Sequence, residues 1–246
     1  LSNIDYLTTI CEKTDHPQFD IWPILFQKLN QNMIKPKTFI KCSYSLIKGQ
    51  KIPPDLSYFI TLLSSLNCSG IFSIINLLPF TKEQYLNDDF IGLIHKSLFS
   101  EDINLLVDAL NFIANNIVDL FEILDHILVW IVEILNQSTF VIKHKIIIFI
   151  DTIITRIQPC HLEFLFSNNI IQEVGDHLLG SNSSELNLVL IRIIEFYFHF
   201  CKTNGVEPEL ITPEIVENLT EITYVNNSQI ASMAASLLNE INSCFE

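Results

Sequence analysis

Glycine, positive charge and recognisable catalytic motifs are what this sequence has least of. Only 6 Gly occur in 246 residues, too few to punctuate the turns of a many-stranded sandwich or barrel, and the β-branched residues recur at helical rather than alternating spacing. Cysteine appears without any CxxC pair: Cys11, Cys42, Cys68, Cys160, Cys201 and Cys244 stand singly. That spacing reads as buried reduced thiols of a cytoplasmic or nuclear protein rather than a disulfide frame. No basic segment followed by an apolar core and a cleavage pattern opens the chain, so no secretory leader is expected. Asn-x-Ser/Thr triplets at Asn67, Asn136, Asn182, Asn218 and Asn226 are read as chance matches in an Asn-rich chain.

Catalysis needs a nucleophile or base beside an orienting partner, and none of the spacings that supply one is present. GxSxG, HExxH and the phosphate- and dinucleotide-binding glycine loops are all missing. The seven His are scattered, and the one adjacent Cys/His pair, Cys160-His161, cannot converge on one ion from neighbouring positions of a helix start. Asp88-Asp89 and Glu101-Asp102 are read as helix-start carboxylates, placed where the free amides and the dipole favour them. The expectation is a non-enzymatic protein with no cofactor and no metal.

Positive charge is scarce and confined. The net charge is -14, yet residues 1–54 hold 7 Lys against 4 acids while residues 55–246 hold 7 basic against 24 acidic side chains. A nucleic-acid partner, which needs a dominant basic footprint, is therefore not expected. The longest uncharged run lies between Asp55 and Lys82. It has the length of a bilayer, but Asn67, Ser69 and Gly70 interrupt its middle, so two buried helices around a turn are expected instead of a membrane span.

What is present is helical periodicity, repeated. The stretch 90–119 reads as two helices around the acidic turn Ser100-Glu101-Asp102, the second with polar residues at Asn104, Asp108, Asn111, Asn115 and Asp119. Steps of three and four place these in one stripe of an otherwise apolar helix. The same pattern recurs along the chain: 19–29 and 37–48, 56–63 and 71–78, 121–135 and 140–157, 170–179 and 186–201, 214–222 and 230–241. A short helix is expected at 161–166, and residues 1–17 are expected to form an N-terminal capping helix. The inter-helix turns fall near Asn30, Ser65, Ser100, Gln137, Ser181 and Asn226, separated by 35, 35, 37, 44 and 45 residues. A helical unit returning at about 35–47 residues is the signature of an α-solenoid.

The run HLEFLFSNNIIQEVGDHLLGSNSSELNLVLIRIIEFYFHF at 161–200 resembles an armadillo repeat: a short helix, a break, a second helix ending Leu-Leu, a polar turn and a long third helix. Residues 90–119 and 213–241 are similar to its second and third helices. The resemblance implies an all-α fold, a right-handed solenoid of about six armadillo/HEAT-like repeats forming one domain over 1–246. It also implies a concave face, lined by the third helices, that holds an extended peptide or partner protein. Importin-α members carry Trp-x3-Asn ladders there. In this chain Asn115 and Asn239 match the ladder Asn, but Asn111 and Ala235 stand at the Trp positions, and Trp22 and Trp130 fall on the presumed second helices.

The wet faces of the long helices are the candidate binding surface. They comprise Lys41, Ser45 and Lys48; Asp108, Asn111 and Asn115; His144, Asp151 and Thr155; Arg192, Glu195 and His199; and Ser232, Ser236 and Asn239. Within each helix the spacing is three, four or seven, which is one face. These stripes are rich in Asn, Ser, Thr and His, and an Asn amide can both donate to and accept from a peptide backbone. The expected function is an interaction scaffold for an extended peptide or partner protein, with a basic portion of the ligand facing the acidic C-terminal part. An importin-α-like adaptor for basic peptides is the alternative.

Overall fold

The computed structural model describes residues 21–78, 87–180 and 183–245. The expected capping helix over 1–17 and Cys11 lie outside them. Among the described residues there are thirteen α-helices and no strand, so the fold is all-α, and no helix is long and apolar enough to cross a membrane. The chain divides into two compact units, 1–127 and 128–246.

The first unit holds α1 (Trp22–Asn30), α2 (Pro36–Lys48), α3 (Leu56–Leu66), α4 (Ile71–Ile75), α5 (Asp88–Leu98) and α6 (Ile103–Asn115). Local chemistry sets these boundaries. A proline opens α1 and α2, where its missing N–H costs nothing. Asp55 accepts a hydrogen bond from the Tyr58 N–H at 2.9 Å. Asn87 accepts from Asp89 at 2.8 Å and Asp102 from Asn104 at 3.0 Å, each satisfying an otherwise orphaned amide. Asn67 ends α3 in the left-handed region, and Gly70 precedes α4 at φ 90°. A Cβ on Gly70 would also stand 3.1 Å from Ile40 Cγ2, so glycine there allows α4 to close on α2.

Helices of like position pack on one another within this unit. α2 packs on α4 and α4 on α6, while α3 packs on α5; α1 with α2 and α5 with α6 pack as consecutive pairs. Aromatic rings fill the space between, with Trp22 edge-on to Phe59 at 5.2 Å and Phe112 meeting Phe72 at 5.0 Å and Phe90 at 5.7 Å.

A 3-10 turn, Phe121–Ile123, leads into α7 (Leu124–Gln137), and the division between units falls in the first turn of that helix. The second unit continues with α8 (Phe140–Ile153), α9 (Pro159–Ser167), α10 (Ile170–Gly180), α11 (Ser184–Asn204), α12 (Pro213–Ile222) and α13 (Ser228–Phe245). Again α8 packs on α11, α11 on α13 and α10 on α12, with α10–α11 and α12–α13 as pairs. Gly205, left-handed at φ 66°, stops α11. Leu98, Ile113, Ile147, Leu190 and Leu237, one on each of α5, α6, α8, α11 and α13, are all buried.

Some expectations shift by a turn. The helix expected over 140–157 ends at Ile153, with a turn over 154–156 before Gln158, which Pro159 holds in extended backbone. α4 stops at Ile75 rather than at residue 78. Cys42, Cys68 and Cys201 are buried, but Cys160 and Cys244 are exposed, since they occupy the first turn of α9 and the last turn of α13. Asn218 is buried with its amide donating to the Gly175 carbonyl at 3.3 Å, so that triplet cannot carry a glycan in the folded chain.

Candidate interaction faces

In the first unit, α2, α4 and α6 lie side by side and their outer surfaces form one polar face. Lys41 and Ser45, both from the expected stripe, share an open hollow of about 540 Å³ with Tyr44 of α2 and with Ser73 and Asn76 around α4. Lys48 lies one turn further along α2, its Nζ 6.0 Å from the centre of the Tyr44 ring, within cation–π range. On α6, Asn111 and Asn115 are exposed as the stripe requires. Asp108 is half-buried and already engaged: its Oδ2 accepts the Gly70 N–H at 2.7 Å, tying α6 to the turn before α4. Asn116, just beyond α6, donates to the Asn76 side-chain oxygen at 3.2 Å.

Sequence reasoning missed the α4 contribution. α4 has five residues inside the uncharged run, too short to show a periodic stripe, although Ser73 and Asn76 stand at the helical spacing of three that could have found it.

In the second unit, five expected residues gather at one place. Asp151, Thr155, Arg192, Glu195 and His199 line a groove of about 390 Å³ together with Ile154 and Phe196. Asp151 and Arg192 hold α8 against α11 by a two-pronged contact, Nε to Oδ1 at 3.0 Å and the second guanidinium nitrogen to Oδ2. That hydrogen-bonded carboxylate pushes the Arg192 pKa up, so the guanidinium stays charged. His199 Nε2 approaches Glu240 Oε2 of α13 at 3.8 Å. Glu195 is half-buried between the two charged ends with Phe196 and Ile154 beside it.

His144 and the α13 stripe lie elsewhere. His144 is half-buried near Phe140, at 6.4 Å between ring centres, and Phe140 in turn stacks on His177 of α10 at 4.8 Å. The neighbouring Lys143 bonds both Glu173 oxygens at 2.7 and 2.8 Å, so this end of α8 is fastened to α10. Burial, and then the Lys145 and His177 charges, lower the His144 pKa. Ser232, Ser236 and Asn239 are exposed on α13 but do not line the groove.

The remaining candidates have structural roles. His161 Nδ1 accepts the Gln158 N–H at 3.3 Å at the start of α9, while Cys160 turns to the Gln158 side chain at 3.9 Å. Among the described residues no group of three or more His, Cys, Asp or Glu side chains converges as a metal site. Trp22 is on α1 and Trp130 on α7, neither belonging to the α2–α4–α6 or α8–α11–α13 rows. No protein-family model and no curated protein matches this chain.

Proposed function

We propose that this protein is a non-enzymatic interaction scaffold of the armadillo/HEAT type, a right-handed α-solenoid of about six repeats. Its rows of third helices hold an extended segment of a partner protein. The observation that carries the reading is the assembly of Asp151, Thr155, Arg192, Glu195 and His199 on one groove between α8 and α11. These residues come from α8, from the turn after it where Thr155 lies, and from α11 about forty residues further on, and they meet because α8 packs on α11; stacking of this kind is how repeat proteins build continuous surfaces. The α2–α4–α6 face of the first unit is its counterpart, with Asn111 and Asn115 able to bond a peptide main chain. Such a scaffold acts in the cytoplasm or nucleus, on proteins rather than nucleic acid, and the acidic balance of residues 55–246 favours a partner with a basic portion there.

The test is affinity capture from cell extract with Asn115→Ala and Glu195→Ala, singly and combined. Surface changes of this kind shift stability by at most about 0.5 kcal/mol, so melting should be nearly unchanged while partner recovery falls in each single variant and further in the double. Undiminished recovery from the double variant, with loss instead on changing exposed residues of α10 or α12, would place binding on the opposite layer and refute the proposal.

A further inference from the structure

The hollow between α2 and α4 is lined by hydrogen-bond donors that have no acceptor among the described residues. Lys41, Tyr44, Ser45 and Ser73 line it, and among the described residues none of their ammonium or hydroxyl groups is engaged in a hydrogen bond or ion pair. Asn76 completes the set. Its side-chain oxygen already accepts from Asn116 at 3.2 Å, which leaves its two amide N–H groups as donors. Among the described residues, no carboxylate side chain lines the hollow. Asp108, behind the hollow, accepts the Gly70 N–H through Oδ2 and is not among the residues that line it. One ammonium, three hydroxyls and an amide therefore face a cavity whose remaining wall is apolar, with Leu77 on α4's side and the Tyr44 ring on α2's.

Such a lining fits an anion with several oxygens on an apolar stem. A carboxylate offers two oxygens and one charge. A phosphomonoester offers three oxygens and a charge of about -1.5 to -2 at neutral pH, and it matches both the donor number and the cations. Lys48 places a second ammonium against the same Tyr44 ring. This is also the part of the chain in which Lys outnumbers acids, 7 to 4 over residues 1–54, within a protein of net charge -14. A dianion is repelled by most of this protein and attracted here. We infer that the α2–α4 hollow binds a phosphoserine or phosphothreonine carried on an extended segment of a partner protein. Lys41 is the charge partner, and Ser45, Ser73 and Asn76 supply further donors. The exposed Asn111 and Asn115 continue the same face on α6 and suit the main chain of a peptide rather than a free phosphate or a lipid. The inference rests on the reading of this face as an interaction surface.

The full chain, immobilised, is offered two degenerate nonapeptide pools that differ only in a central phosphoserine or serine. Retention of the phosphorylated pool should exceed that of the other by about tenfold or more, the size of one charge-assisted contact. Lys41→Glu should abolish the difference, and so should Ser73→Asp, which sets a carboxylate into the hollow. Glu217→Ala, at an exposed position of α12 that belongs to neither face, should leave it intact. Lys41 and Ser73 are exposed, so both variants should keep the wild-type circular dichroism and melting. Equal retention of the two pools, released by Asn115→Ala, would overturn the phosphate inference while leaving the interaction face standing. Retention of neither pool, with binding to phosphoinositide vesicles instead, would assign the hollow to a lipid headgroup and overturn it too. A phosphoserine preference that survives Lys41→Glu would place the phosphate elsewhere.

Discussion

His144 lies on α8 with Lys145 beside it, His177 across on α10 and the Lys143–Glu173 ion pair next to both. Burial dominates the lowering of its pKa below the ordinary 6.5, and the two neighbouring cationic or potentially cationic groups add to it. The folded state therefore prefers the neutral ring, while the unfolded chain takes up a proton near 6.5. This contribution to stability is complete above that value. It is lost progressively as pH falls through 6.5 toward the lower folded value, because there the unfolded state binds more protons. Urea unfolding midpoints at pH 7.5 and 5.5 should fall more for the wild type than for His144→Gln. Identical losses would show that His144 is not the group responsible. The same residue shows where sequence stops: the spacing 144, 151, 155 puts His144 on the stripe, but which neighbour a helix turn meets is set by α10, and α10 leaves no trace in the α8 sequence. Asp108 is a second case. Its position in the stripe is readable from periodicity, but its bond to the Gly70 N–H depends on how closely α4 approaches α6.

At the scale of elements, the turns and the buried faces were legible, and the short or interrupted helices were not. Ser100 and Asn226 fall between helices, Asn30 and Gln137 are the last residues of α1 and α7, and Ser65 lies inside α3, one residue short of its end, so the turn there comes later, over 67–70. Asn and Asp at these ends supply caps and left-handed backbone. The turn near Ser181 lies at residues 181 and 182, outside the described ones. By contrast α4 has no stripe to read, and nothing in the sequence of α8 marks its end at Ile153. Close packing of two helices is a further feature that local pattern cannot reveal. A Cβ on Gly175 of α10 would stand 2.7 Å from Ile215 Cγ1 and 3.0 Å from its Cδ1 on α12. Asn218 anchors the same crossing through the Gly175 carbonyl. Alanine would improve helix propensity by about 1 kcal/mol, but overpacking of this kind costs about 1–3 kcal/mol, and the tighter contact is with Cγ1, within the Ile215 side chain rather than at its free end. Gly175→Ala should thus lower stability in chemical denaturation. Ile215→Ala should cost less in the Gly175→Ala background than in the wild type, by more than about 0.5 kcal/mol if the two residues are coupled. Additive losses would mean that α10 and α12 can separate freely.

For the whole molecule, the proposal of a repeat solenoid makes a claim that neither unit can test by itself. Within each unit, α1–α2, α5–α6, α10–α11 and α12–α13 pack as pairs and helices of like position pack side by side; the proposed solenoid requires that such nearest-neighbour stacking run through the whole chain. A globular domain of 246 residues would have a radius of gyration of about 18 Å. Small-angle scattering in solution should give a value clearly above this, with a distance distribution that rises early and tails to long separations. Because net charge is -14, the measurement belongs at moderate salt, where the Debye length of about 8–10 Å suppresses repulsion between molecules and within one. The radius should then stay constant as salt rises further, since the helix stack is held by buried apolar side chains rather than by its surface charges. A radius near the globular value with a symmetric distance distribution would contradict the solenoid. A radius that shrinks steadily with added salt would attribute the extension to charge repulsion instead of to the order in which the helices pack.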